Sequence, residues 1–330
     1  MKTPLLTVST SPHLLARPSL RSRHIETLIA LAPALAMGLY YFGVPGLTTV
    51  ILTTVSALAG EYLAVRVGKL PNRIDDLHAV LMGVMLGLIM PAGAPWWVAV
   101  IGGLLTTILG KMVFGGLGHY PMQPVLIAWA ALSLSWPEHM NAFYEPLAEA
   151  GEWEVVETFL IQLKSDIAMF ESVELPALWE GLVAGAIGAT CAWALIAGGI
   201  YLIIRRIINW RIPLGVLLGG VIMALVAAYT DERVAELGYE EFGQNLAIAW
   251  YHLGAGGMMI AAFFLATEPV SSPVSSWGTF LYGLGIGIMT VIVRTWGAPA
   301  DGVYYAVLVL SAATPLFDRI KPKPLGKVSR

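Results

Sequence analysis

The chain of 330 residues carries 57% hydrophobic and only 12% charged side chains, with a formal net charge of −3. Soluble domains average about 25% charged residues. That deficit, with a mean hydropathy of +0.73, excludes an ordinary water-soluble enzyme and points to one polytopic membrane domain. The single cysteine, Cys191, excludes an intrachain disulfide and a cysteine-held zinc or iron–sulfur site, and it reads as a small core residue.

Residues 1–24 read as a retained cytoplasmic segment, because Arg17, Arg21 and Arg23 precede a full-length apolar run rather than a cleavage site. A bilayer span needs about 20 predominantly apolar residues. Ten spans follow, at about 25–43, 46–66, 77–91, 96–115, 121–136, 179–207, 212–230, 247–267, 277–295 and 301–317. With the N-terminus inside, all 19 Lys+Arg except Lys164, Arg233 and Arg294 fall on the cytoplasmic side, the asymmetry of the positive-inside rule. Both termini are therefore expected in the cytoplasm, the second as a basic tail over 318–330. Residues 137–178 form an outer loop, acidic through Glu138, Glu152, Glu171 and their neighbours. Within it Trp153, Val156, Leu160, Leu163, Ile167 and Phe170 recur at three- and four-residue steps. This predicts an amphipathic helix that rests on the membrane surface, caps the bundle or docks a partner.

The spans fall into two sets of five, 25–136 and 179–317. "LGLIMPAGAPWW" (86–97) closes the third span and "AFFLATEPVSSPVSSWG" (262–278) closes the eighth; each places two prolines and a tryptophan just after an apolar run. Lys111 and Arg294 stand at matching places, each shortly before an aromatic–glycine pair. Because five is odd, the two halves would insert upside down relative to each other. Matching Gly/Pro-interrupted segments in inverted halves point to a functional site near the midplane. Irregular backbone at that depth is tolerated only where it is buried in protein or lines a cavity. The third and eighth spans are thus candidates for facing half-helices.

Several polar residues stand at membrane depth, where ionisable groups suggest ion or proton paths. Glu61 lies in "LAGEYLAV" and Glu268 in "LATEPVSSP", the latter with Thr267, Ser271 and Ser272 around a proline break. For Glu61, pairing with a neighbouring helix or reaching the inner surface is an equal alternative. Asp75 and Asp76, with His78 beside them, read as caps of the third span. His119 and His252 each read as a histidine bonded to a loop carbonyl, with a ligand or proton-relay role as the alternative, and Gly254, Gly256 and Gly257 read as close-packing positions. In "FGGLGHYPMQP" (114–124), Gly115, Gly116 and Gly118 let the backbone leave helical geometry, and Pro121 and Pro124 delay the next helix. No P-loop, dinucleotide fingerprint, zinc-protease motif or Ser-His-Asp arrangement is present, and nothing suggests nucleic-acid binding.

Five motifs occur in order: "SPHLL", "DDLHAVLMGVMLGLIMPAGAPWW", "VFGGLGHYPMQP", "LATEPVSSP" and "PADGVYYAVLVLSAATPLFD". Together they resemble the RnfD family, the D-type membrane component of the Rnf electron-transport complex. More distantly they resemble the B-type component of the sodium-pumping NADH:quinone reductase. The resemblance implies an all-α integral membrane protein of ten helices in two inverted five-helix halves with broken helices. It implies a place in the bacterial cytoplasmic membrane beside Rnf subunits A, B, C, E and G. The complex couples electron transfer between NADH and ferredoxin to sodium or proton movement. It also implies FMN, joined to a threonine of a Ser/Thr-x-Ala-Thr motif in the outer loop.

The chain departs from that pattern. The outer loop offers only Thr158, Ser165 and Ser172, none in such a motif, and the one Gly-Ala-Thr, in "AGAIGATCAW", ends at Thr190 with Ile187 where a hydroxyl residue is wanted. Thr190, placed well inside the sixth span, is the candidate for covalent FMN. The family's two asparagines after the glycines are here Tyr120 and Gln123, so Gly115, Gly116, Gly118, Tyr120 and Gln123 are the candidates for a non-covalent flavin. Tyr120 either stacks on such a ring or fills its place. Glu61 and Glu268 are the ion-path candidates. The alternatives are a flavin-free scaffold or ion-path member of the same complex, or a stand-alone solute carrier.

Overall fold

The computed structural model describes residues 19–69, 74–148, 153–166, 173–231 and 242–320. The "SPHLL" motif, Arg73, Glu152, Ile167, Phe170, Glu171, Ser172, Arg233 and most of the basic tail lie outside the described residues.

The chain opens with helix α1, Leu20–Gly68, whose N-cap Ser19 accepts the Ser22 amide through its side chain. Gly43 interrupts it at φ 52° and ψ −133°, a conformation essentially reserved for glycine. The first and second expected spans are thus the two arms of one element. The break returns the chain, so that His24 in the first arm and Glu61 in the second lie at the same end of the molecule. Each arm rises about 35 Å at 1.5 Å per residue, enough for a hydrocarbon core of about 30 Å. We call the end bearing Leu20 the N-terminal face and the end bearing Gly43 the loop face.

Helices α2 (His78–Ile89), α3 (Trp96–Thr107, continued by a π-turn over Ile108–Met112) and α4 (Pro124–Ser135) follow. Across the loop face run strands β1 (Phe143–Tyr144) and β2 (Val155–Val156), then the short helices α5 (Phe159–Ser165) and α6 (Leu175–Glu180). The remaining elements are α7 (Ala192–Ile204), α8 (Arg211–Thr230), α9 (Phe242–Gly254), α10 (Met258–Ile260 with a π-turn over Ala261–Leu265), α11 (Ser276–Trp296) and α12 (Val303–Ala312).

Among the described residues, α1, α8 and α11 are long and apolar enough to cross a membrane, and α9 with α10 adds a span bent by 69°. The other apolar helices, α2, α3, α4, α7 and α12, are shorter. Apolar side chains on the outside of the bundle, including Ile29, Val55, Ile222 and Ile292, are open to the surroundings. This is the arrangement of a multi-pass membrane protein whose solvent on that surface is lipid.

Backbone contact at glycines holds the bundle together. A Cβ on Gly219 would lie 2.3 Å from the Leu284 carbonyl oxygen, and one on Gly287 would lie 2.1 Å from that of Val216. These fuse α8 to α11. In the same way Gly83 abuts the Thr54 backbone at 2.5 Å and Gly103 the Thr53 carbonyl oxygen at 2.4 Å, fusing the second arm of α1 to α2 and α3. Small residues at helix contacts supply the dispersion that holds helices together when lipid removes the hydrophobic drive.

Two expectations are corrected. The amphipathic helix of the outer loop does not begin at Trp153. Val155 and Val156 pair antiparallel with Tyr144 and Phe143 instead, and Trp153 stacks on Tyr144 at 5.4 Å; β-branched and aromatic side chains favour this pleated pairing over a helix. Among the described residues the helix is α5, whose Phe159, Leu160 and Leu163 are buried, so it caps the bundle. The sixth span is not continuous either. Between α6 and α7, residues 181–191 leave helical geometry, starting at Gly181 with φ +95°. This stretch lies across the end of α2, where the Ile187 and Gly188 amides donate to the Met90 and Leu88 carbonyl oxygens. Those carbonyls would otherwise be orphaned at a buried helix end.

Candidate functional sites

Two clusters stand out, one at each face. At the N-terminal face, the loop between α3 and α4 is shaped by Gly115, Gly116 and Gly118, at φ +105°, +90° and +94°. Side chains rarely adopt this conformation. The turn delivers Tyr120 into the interior, while His119 stays exposed. The Tyr120 hydroxyl donates to Glu268 Oε1 at 2.7 Å and lies 3.1 Å from His78 Nε2. All three residues are buried, at 2%, 7% and 1% exposure for Tyr120, Glu268 and His78.

Glu268 ends the segment that follows α10. Its Oε2 accepts from the Val270 amide at 2.9 Å and from the amide and hydroxyl of Ser271 at 2.8 and 3.0 Å. The proline break supplies these donors, because Pro269 stops the helix and turns the following amides back toward the carboxylate. Opposite, Asp76 caps α2 as expected, accepting the His78 amide at 2.8 Å, while Asp75 is exposed. His24 Nδ1 sits 2.6 Å from the Asp76 carbonyl oxygen, and its ring meets His78 edge-on at 5.1 Å. His24 itself is half-buried, so the cluster reaches from the interior toward the surface.

Beside it Glu61 accepts a hydrogen bond from Lys111 at 2.6 Å, and both side chains are almost wholly buried. The π-turn at the end of α3 carries Lys111 inward. Of the alternatives for Glu61, pairing with a neighbouring helix is the one found. Gln123 is the N-cap of α4: its Oε1 accepts the Leu126 amide at 3.1 Å.

At the loop face a cavity of about 450 Å³ opens between α4, α5, the 183–190 stretch and the start of α12. Its size falls in the range of small-molecule sites, roughly 300–1,000 Å³. Trp129, Tyr304 and Tyr305 form an aromatic wall, with Trp129 packed 4.6 and 5.0 Å from the two tyrosine rings. Lys164 places a cation on the lining, its ammonium donating to the carbonyl oxygens of Gly297, Ala298 and Pro299 at 2.5, 3.2 and 2.6 Å. Thr190 also lines this cavity, and its buried Oγ1 has no hydrogen-bond partner among the described residues. In place of the expected helix, the irregular 181–191 stretch sets Thr190 just ahead of α7, at the cavity lining and itself buried.

The break between α9 and α10 borders the cavity. Gly256, at φ +59°, separates the two helices. Asp301 Oδ2 accepts the Gly257 amide at 2.6 Å, and Asp301 Oδ1 pairs with Arg294 at 2.9 Å. Arg294 also donates to the carbonyl oxygens of His252 and, at 2.8 Å, Ala255. One arginine and one aspartate therefore replace the hydrogen bonds lost where the helix breaks.

The residues chosen from sequence separate in space. Glu268 and Tyr120 come together, with Glu61 and Gln123 near by, whereas Thr190 belongs to the other face. Sequence reasoning does not select His78 as more than a neighbour of two caps, nor Trp129, Lys164, Tyr304 and Tyr305 at all. The one signal for His78 is its place at the start of a short, interrupted span. Aromatic residues in apolar runs carry no signal for the cavity.

Comparison with known proteins identifies the lineage of this arrangement. Residues 7–326 match the NQR2, RnfD, RnfE family. The chain is 37% identical to the D subunit of the "Na(+)-translocating ferredoxin:NAD(+) oxidoreductase complex" of Acetobacterium woodii, over 98% of this chain and 96% of that protein. It is 32% identical to the D subunit of an "Ion-translocating oxidoreductase complex" of Halorhodospira halophila, over 96% and 94%. The D subunit of the "Proton-translocating ferredoxin:NAD(+) oxidoreductase complex" of Clostridium ljungdahlii is 31% identical, over 97% and 95%.

Proposed function

The chain belongs to the NQR2, RnfD, RnfE family, and on that premise we propose that it is the D-type membrane subunit of an Rnf-type complex. The complex couples electron transfer between NADH and ferredoxin to sodium or proton translocation, and so acts as an oxidoreductase and a translocase. The chain sits in a bacterial cytoplasmic membrane beside subunits A, B, C, E and G, with its N-terminal face toward the cytoplasm. Ten spans in two inverted halves, 25–136 and 179–317, are part of this reading, and a matched pair of breaks supports them. In each half a helix starts after a left-handed residue, Leu77 at φ 61° and Gly256 at φ +59°. In each the amide that follows the left-handed residue is taken by a carboxylate, that of Asp76 or Asp301. The two breaks lie at opposite faces, as inversion requires.

The cavity at the loop face is the flavin site in this reading. The observation that carries it is the orphaned Thr190 hydroxyl on the wall of a pocket with aromatic faces and a cation. Trp129, Tyr304 and Tyr305 offer surfaces for a ring system, and Thr190 is the attachment point. A bound flavin supplies one- and two-electron transfer. The loop over Gly115, Gly116, Gly118, Tyr120 and Gln123 fits a flavin less well, because the Tyr120 hydroxyl is engaged with Glu268 and Gln123 caps a helix. That loop and Glu268 instead serve the ion path, with the Glu61–Lys111 pair as its fixed charges.

Flavin fluorescence of the denatured chain on a gel tests the cofactor assignment. A bright band that Thr190→Ala abolishes is the expected result. A dark denatured band from complex whose native chain still yields flavin on extraction would make the cofactor non-covalent. A chain without flavin in either state would leave the flavin-free scaffold reading, which Ile187 in place of a hydroxyl residue favours.

A further inference from the structure

We propose that the ion handled at Glu268 is a proton, passed along a relay of His78, Tyr120 and Glu268. This rests on the reading that Glu268 stands on the ion path, and it names the ion.

The argument starts from which atoms carry hydrogen. Every hydrogen bond of the Glu268 carboxylate is with a donor: the Tyr120 hydroxyl on Oε1, and the Val270 amide, Ser271 amide and Ser271 hydroxyl on Oε2. A bare hard cation needs a shell of oxygen lone pairs. Here the carboxylate is instead ringed by hydrogens, and behind the tyrosine hydroxyl stands an imidazole. A hydroxyl has one proton to give. Since Tyr120 gives its proton to Glu268, it accepts from His78 Nε2, which fixes the proton of a neutral His78 on Nε2. Nδ1 is then a buried lone pair, and it has no partner among the described residues. The neighbouring aromatic ring is His24, which stacks edge-on against His78 and reaches toward the surface.

This is a three-member wire with one vacant end. A proton taken up at His78 Nδ1 releases the Nε2 proton to the Tyr120 oxygen. Tyr120 in turn releases its own proton to Glu268 Oε1. His78 ends neutral in its other tautomer, Tyr120 ends neutral with its hydroxyl turned toward His78 Nε2, and Glu268 ends protonated. The charge of the group rises by the one proton added, and no heavy atom moves. The reverse sequence returns the proton. The other ionisable groups around the wire are Asp76, His24 and Lys111 on the His78 side and Tyr282 from α11 on the Glu268 side.

The test uses the assembled complex in sealed vesicles, in media stripped of sodium, with ferredoxin and NAD as reactants. An acidification-sensitive dye reads proton movement, and radioactive sodium reads the alternative. The wild type is expected to build a pH gradient without sodium and to show no electrogenic sodium uptake once a protonophore is present. Tyr120→Phe removes the middle of the wire, and His78→Gln keeps a donor to Tyr120 but cannot relay. Each is expected to lower proton movement per electron by about a hundredfold, the scale of a lost proton-transfer group, while electron transfer with protonophore persists. If neither variant assembles, slower wild-type coupled transport in D2O than in H2O, unrelieved by added sodium, is the expected sign of the relay.

Sodium-dependent transport that survives the protonophore would overturn the proton assignment. So would a pH gradient undiminished in Tyr120→Phe, or a wild-type rate indifferent to D2O. Glu268→Gln separates this from the underlying reading. Loss of transport of either ion in Glu268→Gln keeps Glu268 on the path, even where the ion proves to be sodium. Undiminished transport would remove Glu268 from the path, and the proton relay with it.

Discussion

Glu61 and Lys111 show what a single residue can and cannot disclose. A carboxylate and an ammonium in apolar runs are visible at once as costly. Their mutual distance of 2.6 Å is not, because they are fifty positions apart on elements that meet only after α1 has folded back at Gly43. Removing one partner from a buried pair leaves an uncompensated charge, at a cost of about 3–5 kcal/mol, whereas replacing both with apolar groups is often neutral or better. Lys111→Met alone is therefore expected to lower the thermal midpoint and yield of the detergent-purified complex sharply. The double variant Lys111→Met with Glu61→Leu should recover most of both. A double variant as poor as the single one would mean that the pair holds something other than its own charges. Tyr120 teaches the same lesson. Its position in a glycine-rich turn was legible, but its partners His78 and Glu268 come from elements 42 and 148 residues away.

At the scale of elements, the broken helix α9–α10 was only partly visible. Pro269 marked a break after the apolar run, whereas a bend of 69° lies earlier, at the glycines before Met258. Glycine runs in membrane helices signal close packing as readily as breaks. Here Gly254 and Gly257 do pack, against Trp179 and Tyr304, while Gly256 bends the chain. Arg294 is the residue that makes the bend tolerable, because it holds the His252 and Ala255 carbonyls in place of the missing helical amides. In Arg294→Ala, amide hydrogen exchange around residues 254–257 should accelerate by roughly an order of magnitude or more, while the continuous helix α8 stays protected. Arg294→Lys should rescue this only weakly, since an ammonium lacks the fork that reaches two carbonyls and a carboxylate. Equal exchange in all three proteins would show that the bend supports itself. The outer loop failed for a different reason: its three- and four-residue apolar spacing suits a helix, but Val155 and Val156 found strand partners at Tyr144 and Phe143.

For the whole molecule, the two faces carry different chemistry, and that division suggests a direct test of orientation. Cys191 is the single cysteine, so Cys191→Ser provides a background for placing one new thiol at a time. Ser22→Cys, at the exposed N-terminal face, is expected to react with a membrane-impermeant maleimide only from the cytoplasmic side. Val155→Cys, at the exposed strand of the loop face, is expected to react only from the opposite side. Labelling of both from one side would break the two-faced arrangement on which the cavity and proton-relay assignments rest.

Composition alone places this chain in a bilayer, because a 12% share of charged residues cannot cover a water-exposed surface of this size. The sequence also carries the family, in five motifs in order, and the places where helices must yield, because proline and glycine act locally on the backbone. What it left open was every relation between distant residues. Thr190 reads as a helix residue until the Ile187 and Gly188 amides are seen to satisfy the end of α2, which holds that stretch open beside a cavity. Glu268 reads as a lone buried acid until Tyr120 and His78 are brought to it. Hydrogen bonds between segments depend on where the tertiary structure puts them. Only the assembled bundle therefore decided which buried polar groups form a wire, which form a pair, and which face a space large enough for a cofactor.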